Sequence, residues 1–425
     1  MKNILIISVL LLIFGCAKEK TIRITSPDDY NRYLLVKRTS KDAALNEMIF
    51  WQSRLSEDSI NTIALGKLSG VYNALFDVTG NISELKNAEM LIKKAFQVSA
   101  RDKDTYLRSL AHIYITQHRF KEAKVLLDSA FTFPDNKRAT ELMLFDVSME
   151  LGDYTKADKL LGKIKNNSDY NYLIRLSKWS DYRGNLDAAI RYMEQAKTIA
   201  EAGGVVSLKV WTYSNIADYY GHAGKLKEAY EHYLMTLELQ PDNAYAKKGI
   251  AWIVFASEKN SAEATRILDA ISGNHLIPDY LLLRAEIAEF DKNLSEAKEL
   301  EKMFLIAVEN QDYGDMYNTY LIDIYSKINP KKALSLAEKE IANRATPETY
   351  QLLAYAQLMA GMKTEALNTI ENFVNDKTFE PKAAYTKAKV YEANGIMDKI
   401  PELKAELKEA AFELGPVIMR EVEKF

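Results

Sequence analysis

The sequence predicts an all-α fold, a solenoid of about ten helical hairpins with capping helices at its two ends. Three observations predict it. Alanines recur at a spacing near 34 residues over most of the chain. Apolar residues between them keep helical spacing, as Tyr213, Ile216, Tyr220, Leu226, Tyr233 and Leu237 do. Glycine and proline are scarce, 17 and 9 in 425 residues, and leucine, alanine, glutamate and lysine are abundant, which favours helices over a β fold. A mature chain of this length exceeds what one core usually serves, so a repeat array answers the length as well.

The chain opens MKNILIISVLLLIFGCAKEK. Lys2 gives a positive start, and Ile4 to Phe14 form an apolar run too short to cross a membrane, which needs about 20 residues. Residues 1–15 therefore read as a signal peptide. Ile13-Phe14-Gly15-Cys16 resembles a bacterial lipobox, which implies cleavage before Cys16 and lipidation of that cysteine. Cys16 is the only cysteine, so no intramolecular disulfide is possible and no Cys-rich metal spacing exists. Ala17 after the cysteine resembles the pattern of outer-membrane lipoproteins, so the expected location is the bacterial outer membrane, lipid-anchored, with the periplasmic and surface faces both open. Residues 16–41 read as an extended tether. Residues 42–61, containing AALNEMIFWQSRL, read as an N-terminal capping helix, needed because a terminal repeat has no neighbour on its outer face.

The array follows over 62–400. Its ruler is alanine at 88, 123, 157, 189, 229, 264, 297, 333 and 366, five of them after a glutamate. Five residues before the ruler stands Gly152, Gly184, Gly224 or Gly361, with His118 and Lys292 at the same place in two other units. About twelve before it stands Ala111, Ala217, Ala251, Ala285 or Ala354. The glycine supplies the left-handed residue that ends a first helix, and the two small residues let the paired helices approach closely. Pro241 ends a second helix, and Asp242 or Asn243 caps the next. Gly80 lies eight residues before Ala88, so the first unit carries an insertion. The long step from 189 to 229 leaves the loop AEAGGVVS at 200–207. Ile400 replaces the ruler in a tenth, decayed unit, and residues 401–425 read as C-terminal capping helices.

This pattern resembles the tetratricopeptide repeat, whose period is about 34 residues, in a lipoprotein of the bacterial envelope similar to those of Bacteroidota. The resemblance implies a right-handed superhelix whose first helices line a concave groove through positions two, five, nine, twelve and thirteen of each unit. In the unit starting at Tyr170 these are Asn171, Ile174, Lys178, Asp181 and Tyr182. In the unit starting at Val210 they are Trp211, Ser214, Asp218, Gly221 and His222, and in the unit starting at Ala244 they are Tyr245, Lys248, Trp252, Phe255 and Ala256. The expected partner-binding set is Trp211, Asp218, His222, Trp252, Phe255, Lys178, Asp181 and Tyr182, with the aromatics as anchors and the charged groups as a polar rim. The Lys/Asn carboxylate clamp of chaperone-binding members is not reproduced.

Nothing in the sequence points to catalysis. There is no Gly-rich phosphate loop, no Gly-x-Ser-x-Gly and no His-Glu-x-x-His. The five histidines, His112, His118, His222, His232 and His275, are scattered across units, so no metal site and no cofactor is expected. A net charge of −3 gives no electrostatic footprint for nucleic acid. The expected function is a non-catalytic scaffold binding a partner protein or peptide. The alternative is a glycan- or nutrient-capturing outer-membrane lipoprotein, because starch-utilisation lipoproteins carry similar helices. Those are longer and bear large binding loops.

Overall fold

A computed structural model describes residues 23–55, 61–311 and 313–425. The expected signal peptide over 1–15 and the expected lipidation site Cys16 lie outside these residues. All regular structure among the described residues is helical, and none of these helices is long and apolar enough to cross a membrane. Two helices, α1 (Pro27–Leu34) and α2 (Thr39–Gln52), precede ten antiparallel hairpins. The first five are α3 (Thr62–Thr79) with α4 (Ile82–Val98), α5 (Lys103–Thr116) with α6 (Phe120–Phe131), α7 (Lys137–Glu150) with α8 (Tyr154–Lys163), α9 (Tyr170–Tyr182) with α10 (Leu186–Gly203), and α11 (Val206–His222) with α12 (Leu226–Leu239). The next five are α13 (Ala244–Ala256) with α14 (Ser261–Ser272), α15 (Asp279–Phe290) with α16 (Leu294–Gln311), α17 (Asn318–Ile328) with α18 (Pro330–Asn343), α19 (Pro347–Met359) with α20 (Lys363–Phe373), and α21 (Pro381–Ala393) with α22 (Ile400–Glu409). A last helix, α23 (Ala411–Val422), follows.

The hairpin chemistry is the one the spacing predicts. Every ruler alanine is buried, from Ala88 to Ala366, with no room for a larger side chain between the paired helices. Gly152, Gly184, Gly224 and Gly361 all have φ between 68° and 81°. The non-glycine residues at the same place take the same conformation: His118 has φ 58°, Lys292 65° and Lys259 56°. The hairpin therefore imposes the left-handed turn even where a Cβ disfavours it. Where the small residue opposite the ruler is serine, its hydroxyl helps close the hairpin: Ser177 Oγ donates to the Ala189 carbonyl at 2.8 Å, and Ser69 Oγ to that of Ala88 at 2.8 Å. Asn243 caps α13 by accepting the Ala246 N–H at 2.8 Å.

The solenoid winds far enough to touch itself. Leu276 N–H donates to the Thr79 carbonyl at 2.6 Å, Asn343 Nδ2 to the His118 carbonyl at 3.3 Å, and Arg344 reaches Glu150 at 3.4 Å. A Cβ at Gly152 would fall 2.8 Å from the Ala345 carbonyl oxygen, so this glycine serves both the hairpin turn and the closure. The closure is also apolar. Phe304, Tyr313 and Tyr317 share one buried cluster with Leu85, Ile113 and Tyr114 of the first units.

Two segments differ from the sequence reading. The tether does not stay extended throughout: α1 docks on the second helices α12 and α14. Tyr30, Tyr33 and Leu34 are buried there, the Tyr30 hydroxyl donates to Glu263 at 2.5 Å, and Glu258 accepts the backbone N–H groups of Ile24 and Thr25 at 2.8 and 2.6 Å. At the other end, α22 completes the tenth hairpin, so the array runs past residue 400 to Glu409. Only α23 remains as a cap. It packs on α21, and it also crosses the concave side to touch α11, α13 and α15.

Candidate functional site: the concave groove

The first helices α3, α5, α7, α9 and α11 line a concave cavity of about 1070 Å³. Its wall carries a row of cation–carboxylate pairs, each with both partners on first helices. Arg108 faces Asp104 at 2.8 Å and donates to Thr140 and Thr105. Arg175 reaches Asp146 at 2.5 Å, and Lys178 reaches Glu150 at 2.8 Å. Burial works against charge on both members of the last pair. The attraction between them, with Asp146 helping Lys178 and Arg344 helping Glu150, outweighs it, so the lysine pKa is raised and the glutamate pKa lowered. Burial lowers the pKa of His112, whose ring also lines the cavity. The apolar part of the lining includes Ile113, Met143, Ile174 and Trp211. Asn73 on α3 turns a side-chain oxygen into buried space with no hydrogen-bond donor.

A second cavity of about 530 Å³ lies where the ring closes, between α9, α11 and the C-terminal units. Asp181, Glu380 and Glu413 converge on it around His222. Burial raises all three carboxyls, and Glu380, further raised by Glu413 and Glu348, is pushed up to about 7. Tyr182 stacks on Tyr154 at 4.1 Å on its wall.

The groove positions inferred from the repeat register divide sharply. Those on α9 all face the cavities: Asn171, Ile174, Lys178, Asp181 and Tyr182. On α11, Trp211 is 43% exposed and His222 lines the closure cavity. Asp218 is not a free rim group. It accepts from the Tyr233 and Tyr245 hydroxyls at 2.5 Å each and is raised by burial. On α13 the two expected anchors do not face the open groove. Phe255 is wholly buried against Phe290, and Trp252 packs on Phe412 of α23 at 6.3 Å. Trp252 is covered by α23, which occupies the concave side at α11, α13 and α15, and Gly221 leaves space for Phe412, whose ring would lie 2.9 Å from any Cβ there; Phe255 is buried in the seam with the neighbouring helices α12, α14 and α15. Arg108 and Arg175, the sixth residues of α5 and α9, were missed. Their signal was an arginine recurring one helical position beyond the five transferred from the repeat family.

No family model and no curated protein matches the sequence. Among solved structures the chain is similar to a tetratricopeptide repeat protein from Parabacteroides merdae, at 16% identity over 57% of this chain and 91% of that one, with a TM-score of 0.38. It is similar to the signal-transduction ATPase with a tetratricopeptide repeat sensor from Pyrococcus horikoshii, at 15% identity over 86% and 55% with a TM-score of 0.43. It is also similar to yeast Tom70, at 15% identity over 94% of each chain with a TM-score of 0.37. Scores of this size carry no argument of their own, so the assignment stands on the hairpins, the left-handed turn before each ruler alanine and the buried ruler itself. The fold is tetratricopeptide-like. In such an array the first helices form the inner surface, and here α23 lies over part of it, against α11, α13 and α15. Among the described residues no group of three or more His, Cys, Asp or Glu side chains could hold a metal ion.

Proposed function

We propose that this protein is a lipid-anchored, non-catalytic scaffold of the bacterial envelope that binds a partner polypeptide in the N-terminal half of its groove. The observation that carries the reading is the open cavity of about 1070 Å³ on five consecutive first helices, with the exposed Trp211 at one side and the unpartnered Asn73 oxygen at the other. A large rigid aromatic supplies an anchor contact, and a buried carbonyl oxygen without a donor is what a peptide N–H would satisfy. The lining cations are already paired with carboxylates, so the groove suits a segment with apolar anchors rather than a highly charged tail. Trp211→Ala is expected to leave unfolding within about 0.5 kcal/mol of the parent, as at other exposed positions, and to cut recovery of the partner from native membranes. Unchanged recovery would place the partner elsewhere.

The anchor is supported by the sole cysteine at the end of the signal-like run. From Cys16 to Arg23 the chain reaches at most about 25 Å at full extension, and from residue 24 onward it is tied to α12 and α14. A lipid at Cys16 would hold that outer face near the bilayer and turn the groove away from it. Cys16→Ser is expected to move the protein from the membrane to the soluble fraction; retention in membranes after a high-salt wash would contradict the anchor. An outer-membrane location is part of the same proposal.

A further inference from the structure

Beneath α23, on the half of the concave side that the partner groove does not use, lie two adjoining cavities of about 380 and 150 Å³ that share Glu289, Asp323, Lys327, Val417 and Ile418. The larger is walled by Trp252 and Tyr320, and Asp279 and Glu286 point carboxylates into it. One oxygen on each of these carboxylates, Asp279 Oδ1 and Glu286 Oε1, is sealed from solvent and accepts no hydrogen bond. Buried oxygens in this state are rare, because each costs the desolvation of an acceptor with nothing in return. Lys248 stands 3.8 Å from the other Asp279 oxygen. No cation lies within ion-pair distance of Glu286 among the described residues. Of the lysines that face it, Lys382 is bonded to Asp323 and Lys259 to the Ala256 carbonyl, leaving Lys327 across the cavity. Burial first, and Glu289 second, push the Glu286 carboxyl up to about 7.

The backbone of α23 is shaped to this spot. Gly415 has φ 76° and breaks the helix ahead of Pro416. A Cβ there would lie 2.6 Å from Glu286 Oε1 and 2.7 Å from Cη2 of Trp252, so a carboxylate oxygen and an indole edge meet at one point that only glycine leaves open. We propose that this cavity binds an organic cation, a primary ammonium or guanidinium on a flexible stem. Glu286 and Asp279 accept its N–H groups, and Trp252 and Tyr320 flank the stem. An ammonium brings three donors to a site where Glu286 and Asp279 each hold one unpaired oxygen, and the rings of Trp252 and Tyr320 offer the apolar stem a surface to pack on. A volume of about 380 Å³ is that of a small-molecule pocket. A metal ion is the poorer match, since the described residues offer no cluster of three ligands.

The test is calorimetric titration of the full chain with cadaverine, agmatine and a Gly-Lys-Gly peptide, against 1-pentanol as the uncharged control. Saturable binding of an amine but not the alcohol is expected, weakened about tenfold or more by Glu286→Gln, the loss of one charged hydrogen bond. Asp279→Asn serves if Glu286→Gln does not fold. Binding of the free amines alone assigns a metabolite-like ligand, and binding of the peptide assigns a lysine side chain. No binding by any amine, or equal binding of amine and alcohol, or unchanged affinity in both variants, overturns the proposal. The groove reading survives that failure, because it rests on Trp211 and α3 to α11.

Discussion

Phe255→Ala is expected to destabilise the protein by about 3–5 kcal/mol, the range for truncating a buried aromatic. Phe255 has no exposed surface, meets Phe290 edge-on at 5.5 Å and Trp252 at 5.9 Å, and belongs to the cluster that joins α12, α13, α14 and α15. Removing its ring leaves a cavity that the rigid seam between two hairpins cannot close. Urea unfolding of the variant beside the parent measures the loss. The result separates two readings of one position. Counting along the repeat places Phe255 on the groove wall, where its loss would leave stability intact and reduce partner binding. Contacts place it in the core, where stability falls and partner binding changes only through unfolding.

Tyr30→Ala carries the second large effect, again about 3–5 kcal/mol by the measure of buried aromatics. Tyr30 is 1% exposed, and its hydroxyl ends on Glu263. The change removes the main apolar contact of α1 with α12 and α14, so the segment ahead of α2 is expected to become sensitive to limited proteolysis while the array remains folded. A tether lying free along the surface would be cut equally in both proteins. Equal cleavage of parent and variant would return residues 27–34 to the tether.

What was legible in the sequence is what local chemistry dictates. The ruler alanines, the glycine five residues earlier and side-chain caps such as Asp153, Asn185 and Asn243 recur because each hairpin solves the same problem, and the turn holds at His118, Lys259 and Lys292, where glycine is absent. Helix α1 was readable as well. Ser26 and Pro27 at its start, two aspartates in its first turn and the spacing of Tyr30, Tyr33 and Leu34 are an N-terminal signature followed by an apolar face, though a short one that adjoins the signal-like run. The return of α23 was not readable. Its apolar face suits any neighbour, and which surface it covers depends on the curvature accumulated over ten hairpins. That same curvature decides ring closure between residues about 200 apart in sequence, and it brings α23 over Trp252 while leaving Trp211 open.

The central claim is that the partner lies in the open N-terminal half of the groove. Photo-crosslinking from single positions tests it most directly, with the photoreactive residue at Asn171 on the groove wall of α9, at Trp211 on α11, and at Lys227, exposed on the outer helix α12. Crosslinking in native membranes is expected to trap one polypeptide from Asn171 and Trp211 and none from Lys227. The same polypeptide trapped from Lys227 and absent from the two groove positions would contradict the account.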